Sequence, residues 1–220
     1  MIVLGIETST PTTSVAVVRD GAVVAEQTST LRGQGVEILG MIEAACATAG
    51  IGPRDLAAVC IGAGPGSFTG LRIGMATGKG IAFAAQCPLW AVSSLAAVAR
   101  AADDARYAGL VIATIDARRG EFYVGAYRAG ALVAAETAVP PDKLVDYAAA
   151  VRIGDEPVTY VGAGPVPGTI ERTPSGADVA RLALEGARVD VLVAGAPSYV
   201  RPAEAELKYP DGVPGALRRR

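Results

Sequence analysis

Glu7 closes the apolar run VLGIE and Asp116 closes LVIATID, one in each half of the chain. A carboxylate at the end of a buried strand in each of two lobes is an arrangement that can hold a magnesium-bound nucleotide between them. The neighbouring residues argue against that chemistry. A loop that grips phosphate needs glycine beside such an acid, whereas TSTPTTS after Glu7 is rich in hydroxyls and has none, and ARRGE after Asp116 brings two bulky cations, Arg118 and Arg119. Glu7 and Asp116 are therefore expected to be degenerate cleft acids. The expected protein has no catalytic residue, no cofactor and no metal. Nucleotide hydrolysis is the weaker alternative.

The second candidate is GAGPGSFTGLRIGMATGKG, Gly62 to Gly80. It is not a P-loop, because only three residues separate Gly74 from Gly78 and Lys79 is followed by Gly80. It is not a dinucleotide fingerprint either, since Ser67 stands where the third glycine belongs. A generic anion site at the start of a helix stays open. A different regularity fits better: Gly66, Gly70, Gly74, Gly78 and Ala82 recur at every fourth position and so share one face of a helix, with Leu71, Met75 and Phe83 as bulk beside it. Glycine inside a helix costs about 1 kcal/mol relative to alanine, so its repetition calls for close packing. The packing surface is either the chain's own sheet or another chain. The helix expected just before it, in VEILGMIEAACATAG, carries one apolar stripe at Leu39, Ile42, Cys46 and Ala49 and another at Ile38, Met41 and Ala45. One stripe serves the core and leaves the other for a partner. The residues expected at such an interface are Leu39, Ile42, Cys46, Gly70, Leu71, Gly74, Met75 and Gly78.

The elements that position these residues are legible in pattern. VLGIE and VVAEQTS flank a hairpin at RDGA, and LVIATID, EFYVGAY and ALVAAET repeat the arrangement around RAGA. In a gapless superposition Glu7 falls on Asp116, Val15 on Val124, Arg19 on Arg128 and Gly21 on Gly130. Each triplet of strands is followed by a helical stretch, VEILGMIEAACATAG or PPDKLVDYAAAV, and then by a strand ending in GAGP. Two copies of a βββαβα unit follow, with lobes over 1–103 and 104–200, a seam in ARAADDARYAG, and an irregular, proline-containing tail over 201–220.

Composition removes whole classes. The chain of 220 residues has no histidine, which excludes a Ser-His-Asp triad and zinc sites of the HExxH type. Cys46, Cys60 and Cys87 are unclustered and set among aliphatic neighbours, so buried thiols are expected rather than a metal site or disulfide framework. A net charge of −2 gives no electrostatic footprint for direct binding of nucleic acid, and only Arg218 to Arg220 are locally basic. The start, MIVLGIETST, has no basic leader, and no apolar run reaches the roughly 20 residues of a membrane span. A cytoplasmic protein is expected.

IETST, GAGPGSFTGLRIGMATGKGIA, IDARRGEFYVGAY and PSYVR together resemble the TsaB family, the dimerisation subunit of the bacterial machinery that makes threonylcarbamoyladenosine in tRNA. The resemblance runs from Ile2 to about Arg201. It implies an α/β, two-lobed actin-like fold (ASKHA, ribonuclease H-like) of two duplicated units, with a degenerate nucleotide site. It further implies a heterodimer with a TsaD-like actin-fold subunit that holds metal and nucleotide, and a TsaE-like ATPase as second partner. A homodimer is possible when the chain is alone, tRNA is met only through the complex, and no membrane is involved. Family members often carry Asp where this chain has Glu7, and often His where Gln34 stands, which makes a hidden metal-dependent activity less plausible. The rival reading is an independent enzyme of the same fold, a small-molecule kinase or a peptidase. The missing histidines oppose the peptidase and Arg118-Arg119 oppose the kinase.

Overall fold

A computed structural model describes residues 1–30, 34–100 and 109–200. The first lobe opens with three antiparallel strands, β1 (Ile2–Glu7), β2 (Thr13–Arg19) and β3 (Ala22–Ser29), and continues with α1 (Gln34–Ala49), β4 (Ala58–Gly62), α2 (Phe68–Ala85), β5 (Leu89–Val92) and α3 (Ser94–Arg100). The second repeats the opening as β6 (Leu110–Arg118), β7 (Glu121–Arg128) and β8 (Ala131–Val139), followed by α4 (Leu144–Val151), β9 (Val158–Gly162), β10 (Ile170–Glu171), α5 (Gly176–Leu184) and β11 (Val189–Asp190). The turns at Asp20-Gly21 and Ala129-Gly130 have positive φ at both residues, the mirror-image turn whose twist suits paired strands.

The sheets are ordered β11-β5-β4-β1-β2-β3 and β10-β9-β6-β7-β8, so the second repeats the first apart from the added edge β11. β4 runs parallel to β1, and β9 parallel to β6. The duplication is therefore present at the level of topology. The second copy is shortened, because 163–169 joins β9 to β10 with no counterpart of α2; Pro165, Pro167 and Gly168 leave no room for a helix there.

Helices and sheets stack in five layers. Leu4 and Ile6 of β1 pack with Ile38, Ile42 and Met75 under α1 and α2, while Val3 on the opposite face packs with Val179 and Ala180 of α5. In the second sheet Val111, Ala113 and Ile115 pack with Leu95 and Val98 of α3, and Leu110 and Ile112 with Ala148 of α4. Each lobe thus lends its last helix to the other's sheet, and α3 and α5 touch between the two sheets, joined by the Arg100–Glu185 ion pair. An expected boundary at 103/104 divides the chain in sequence, but α5 and β11 belong by packing to the first sheet. Most of the expected seam and the whole tail, 101–108 and 201–220, lie outside the described residues. Among the described residues no helix is long and apolar enough to cross a membrane.

Candidate functional site

The strand-end acids are not equivalent. Side chains alternate along a strand, so Glu7 continues the series of Val3 and Gly5 toward α5, whereas Asp116 continues that of Leu110 and Ile112 toward α4. The gapless superposition of Glu7 on Asp116 is corrected on this point. β1 pairs Glu7 with Ser14, but β6 pairs Asp116 with Phe122 across an irregularity before Arg118, which slips the register by one residue relative to the first copy. A slip of one exchanges the two faces.

Their surroundings differ accordingly. Glu7 is fully buried. Its carboxylate accepts a hydrogen bond from the Ser9 amide at 2.6 Å and one from the Ser94 hydroxyl at 2.8 Å. Gly62 makes the room, since a Cβ there would stand 1.8 Å from Glu7 Oε2. Burial pushes the Glu7 carboxyl above its ordinary range, and the hydrogen bonds from Ser9 and Ser94 pull against that shift. Asp116 is exposed, and its carboxylate accepts from the Arg118 amide at 2.7 Å within its own turn. Among the described residues no three His, Cys, Asp or Glu side chains are grouped to hold a metal ion.

The glycine series faces inward onto the loop that follows Glu7. A Cβ at Gly66 would lie 2.4 Å from the Ser9 carbonyl oxygen, one at Gly74 would lie 2.4 Å from Thr8 Oγ1, and one at Gly78 would lie 2.8 Å from Ile61 and 3.0 Å from Leu89. The contacts are polar as well as steric: Thr8 donates its hydroxyl to the Gly70 carbonyl at 2.8 Å, and the Ser67 amide donates to the Ser9 carbonyl at 2.6 Å. Ser67 caps α2 by accepting from the Gly70 amide. The flat face thus lets the helix press onto β1, β4 and the hydroxyl-rich loop.

This placement corrects the expected interface. Gly70, Leu71, Gly74, Met75, Gly78 and Ile42 are buried inside the chain, and Cys46 is half-buried. Of the expected contact residues only Leu39 is well exposed, at 61%. The surface that α1 and α2 do present runs through Leu39, Gly40, Glu43, Ala44 and Ala47 on one helix and Arg72, Ala76, Gly80, Phe83 and Ala84 on the other. Phe83 is 80% exposed, and a Cβ at Gly40 or Gly80 would meet nothing within 4 Å. The signal was there to read: Arg72, Ala76, Gly80 and Ala84 form a second four-residue series on the side of the helix away from Gly70, Gly74 and Gly78. Charge is segregated across the pair, α1 carrying Glu37 and Glu43 with no Lys or Arg, and α2 carrying Arg72 and Lys79 with no Asp or Glu.

A family model described as TsaD, tRNA N6-adenosine threonylcarbamoyltransferase, matches residues 19–169, more than half of the chain. That span leaves out β1 with Glu7, and α5. A Bacillus subtilis protein named tRNA threonylcarbamoyladenosine biosynthesis protein TsaB is 32% identical over 95% of this chain and 98% of its own length. Its Escherichia coli namesake is 40% identical over 58% of this chain and 55% of its own. Among solved structures, YeaZ from Pseudomonas aeruginosa superposes with a TM-score of 0.77 at 30% identity, over 90% of this chain and 99% of that one. With a relative matched over nearly its whole length and a fold to agree with it, the chain belongs to the TsaB family, within the broader family that the threonylcarbamoyltransferase model describes.

Proposed function

We propose that the chain is a non-catalytic scaffold subunit in the biosynthesis of threonylcarbamoyladenosine at adenosine 37 of tRNA. Its docking surface is the outer face of α1 and α2, and its partner there is a TsaD-like subunit of related fold that performs the transfer. A TsaE-like ATPase joins the pair, and tRNA is engaged through the complex. In the absence of the TsaD-like subunit the same face takes a second copy.

The observation that carries this reading is the face itself. Two adjacent helices expose Leu39 and Phe83 among alanines and open glycines, a surface that another helix pair can approach closely. Acid on α1 and base on α2 suit a partner of the same architecture packed head to tail, α1 against α2. Support also comes from the names of the relatives. The burial of Glu7 and the exposure of Asp116 on a differently directed face agree with a scaffold rather than a hydrolase. A net charge of −2 leaves little counterion release for tRNA binding by the chain alone.

The test is calorimetric titration of the chain with the TsaD-like subunit, alongside thermal melting of the isolated chain. Leu39→Glu and Phe83→Glu are expected to weaken association by at least about tenfold, as loss of an anchor at an interface does, with the melting temperature held. Unchanged affinity in both variants would place the interface elsewhere. Robust ATP hydrolysis by the isolated chain, lost in Glu7→Gln, would overturn the non-catalytic role.

A further inference from the structure

The segment after β11 runs back across the first lobe and ends on α2. The Val191 amide donates to the Leu89 carbonyl at 2.9 Å, Lys79 Nζ to the Gly195 carbonyl at 2.8 Å, and the Ser198 amide to the Ala63 carbonyl at 2.7 Å. The seat is close, since a Cβ at Gly64 would lie 2.6 Å from the Ser198 carbonyl oxygen. Beyond Val191 the side chains of this strap are exposed or half-buried, so polar contacts hold it and burial contributes little. At its end the Tyr199 ring lies 5.4 Å from that of Phe68, tilted by 37°. The Arg72 guanidinium sits 3.7 Å above the Phe68 ring and donates through Nε to the Tyr199 hydroxyl at 3.4 Å.

Arg72 is exposed on the outer face of α2, and among the described residues no carboxylate pairs with it. Its Nη1 and Nη2 fork remains available for bidentate pairing. We infer that Tyr199 is a positioning residue: the strap uses it to hold Arg72 in one rotamer, stacked on Phe68, so that the guanidinium fork meets a carboxylate on the docked partner. A free arginine loses much rotamer freedom on pairing, and one already stacked and hydrogen-bonded loses less. The helix facing α2 in the partner must then carry an acid, as α1 of this chain does at Glu43. The inference rests on the docking face proposed for the TsaD-like subunit and adds which charge acts there and what holds it.

A double-mutant cycle on the full chain tests it, with the TsaD-like subunit as titrant at low and high salt. Arg72→Met is expected to weaken association about tenfold at low salt and to flatten its salt dependence. Tyr199→Leu is expected to cost about threefold or more in the parent and less than about twofold in the Arg72→Met background, with Tyr199→Phe in between. Faster hydrogen exchange at the Ser198 amide in Tyr199→Leu, with β6 and β7 unchanged, would show that the strap moves and the fold does not. Equal losses from Tyr199→Leu in both backgrounds, or none in either, would overturn the positioning role. If Phe83→Glu weakens association and Arg72→Met does not, the docking face stands and this inference falls. If neither weakens it, the docking face falls, and the inference with it.

Discussion

Gly78→Ala and Gly80→Ala place the same methyl group two positions apart on α2 and should differ in stability by about 1 to 3 kcal/mol, with Gly80→Ala the more stable. Alanine gains about 1 kcal/mol over glycine in a helix interior, and this gain is common to both sites. At position 80 the new Cβ meets nothing within 4 Å, so the gain is kept. Gly80→Ala should therefore raise the melting temperature by about 2 to 4 °C, the usual response of a chain this size to 1 kcal/mol. At position 78 the Cβ would stand 2.8 Å from Ile61 Cγ2 and 3.0 Å from Leu89 Cδ1. Both residues are buried on adjacent strands of the parallel part of the sheet, so neither can swing away. Overpacking of this kind costs about 1 to 3 kcal/mol, which leaves Gly78→Ala between neutral and about 2 kcal/mol less stable once the helical gain is included. Urea titration with a common m-value, run beside thermal melting, separates the two. Equal stabilisation by both substitutions would show that the inward glycine face is loosely packed, and close approach to the sheet would then not be the reason for the glycines.

Glu7→Gln should gain stability relative to the parent as pH rises. The folded-state pKa of Glu7 is raised above its ordinary 4.5 by burial, so the stability linked to its protonated form is complete below that value and is lost as pH climbs through the folded pKa. Glutamine keeps an acceptor for the Ser9 amide and never ionises, so the difference between variant and parent should widen as pH rises above the ordinary value of 4.5, and a flat or reversed difference in urea midpoints would contradict the burial of the carboxylate. Thiol labelling gives an independent check on the core. Burial pushes the Cys60 thiol up to about 12, so iodoacetamide at mildly alkaline pH should modify half-buried Cys46 first and reach Cys60 only on unfolding. Prompt modification of Cys60 in the folded chain would place that strand at the surface.

Much of the first lobe was legible because its signals are local. Asp20-Gly21 is a turn pair whose chemistry sets a hairpin wherever apolar strands flank it, and the helical stretches have lengths and periods that admit little else. The family, too, is written in contiguous segments such as GPGSFTGLRIG. β10 and β11 were not legible, since two residues of strand carry no pattern; their partners β9 and β5 create them. Nor was the exchange of α3 and α5 between lobes, which depends on surfaces that assemble only when both sheets exist.

The sequence by itself determined that α2 has a glycine face and that acids close strands in both halves. Only the tertiary structure decided what those features meet. A glycine stripe lets another backbone approach whether that backbone belongs to the chain or to a partner, and helical periodicity is blind to the difference; the close approach of Thr8 to Gly74 and of Ile61 to Gly78 turns the stripe inward and leaves the Arg72 to Ala84 side exposed. Likewise a gapless match aligns Glu7 with Asp116, but the face of a strand residue depends on pairing register, where a slip of one residue reverses every side chain. Register is settled between strands, by the irregularity before Arg118 and by the helices that cover each face, and that is why one acid is sealed beneath Ser94 while the other stands in solvent.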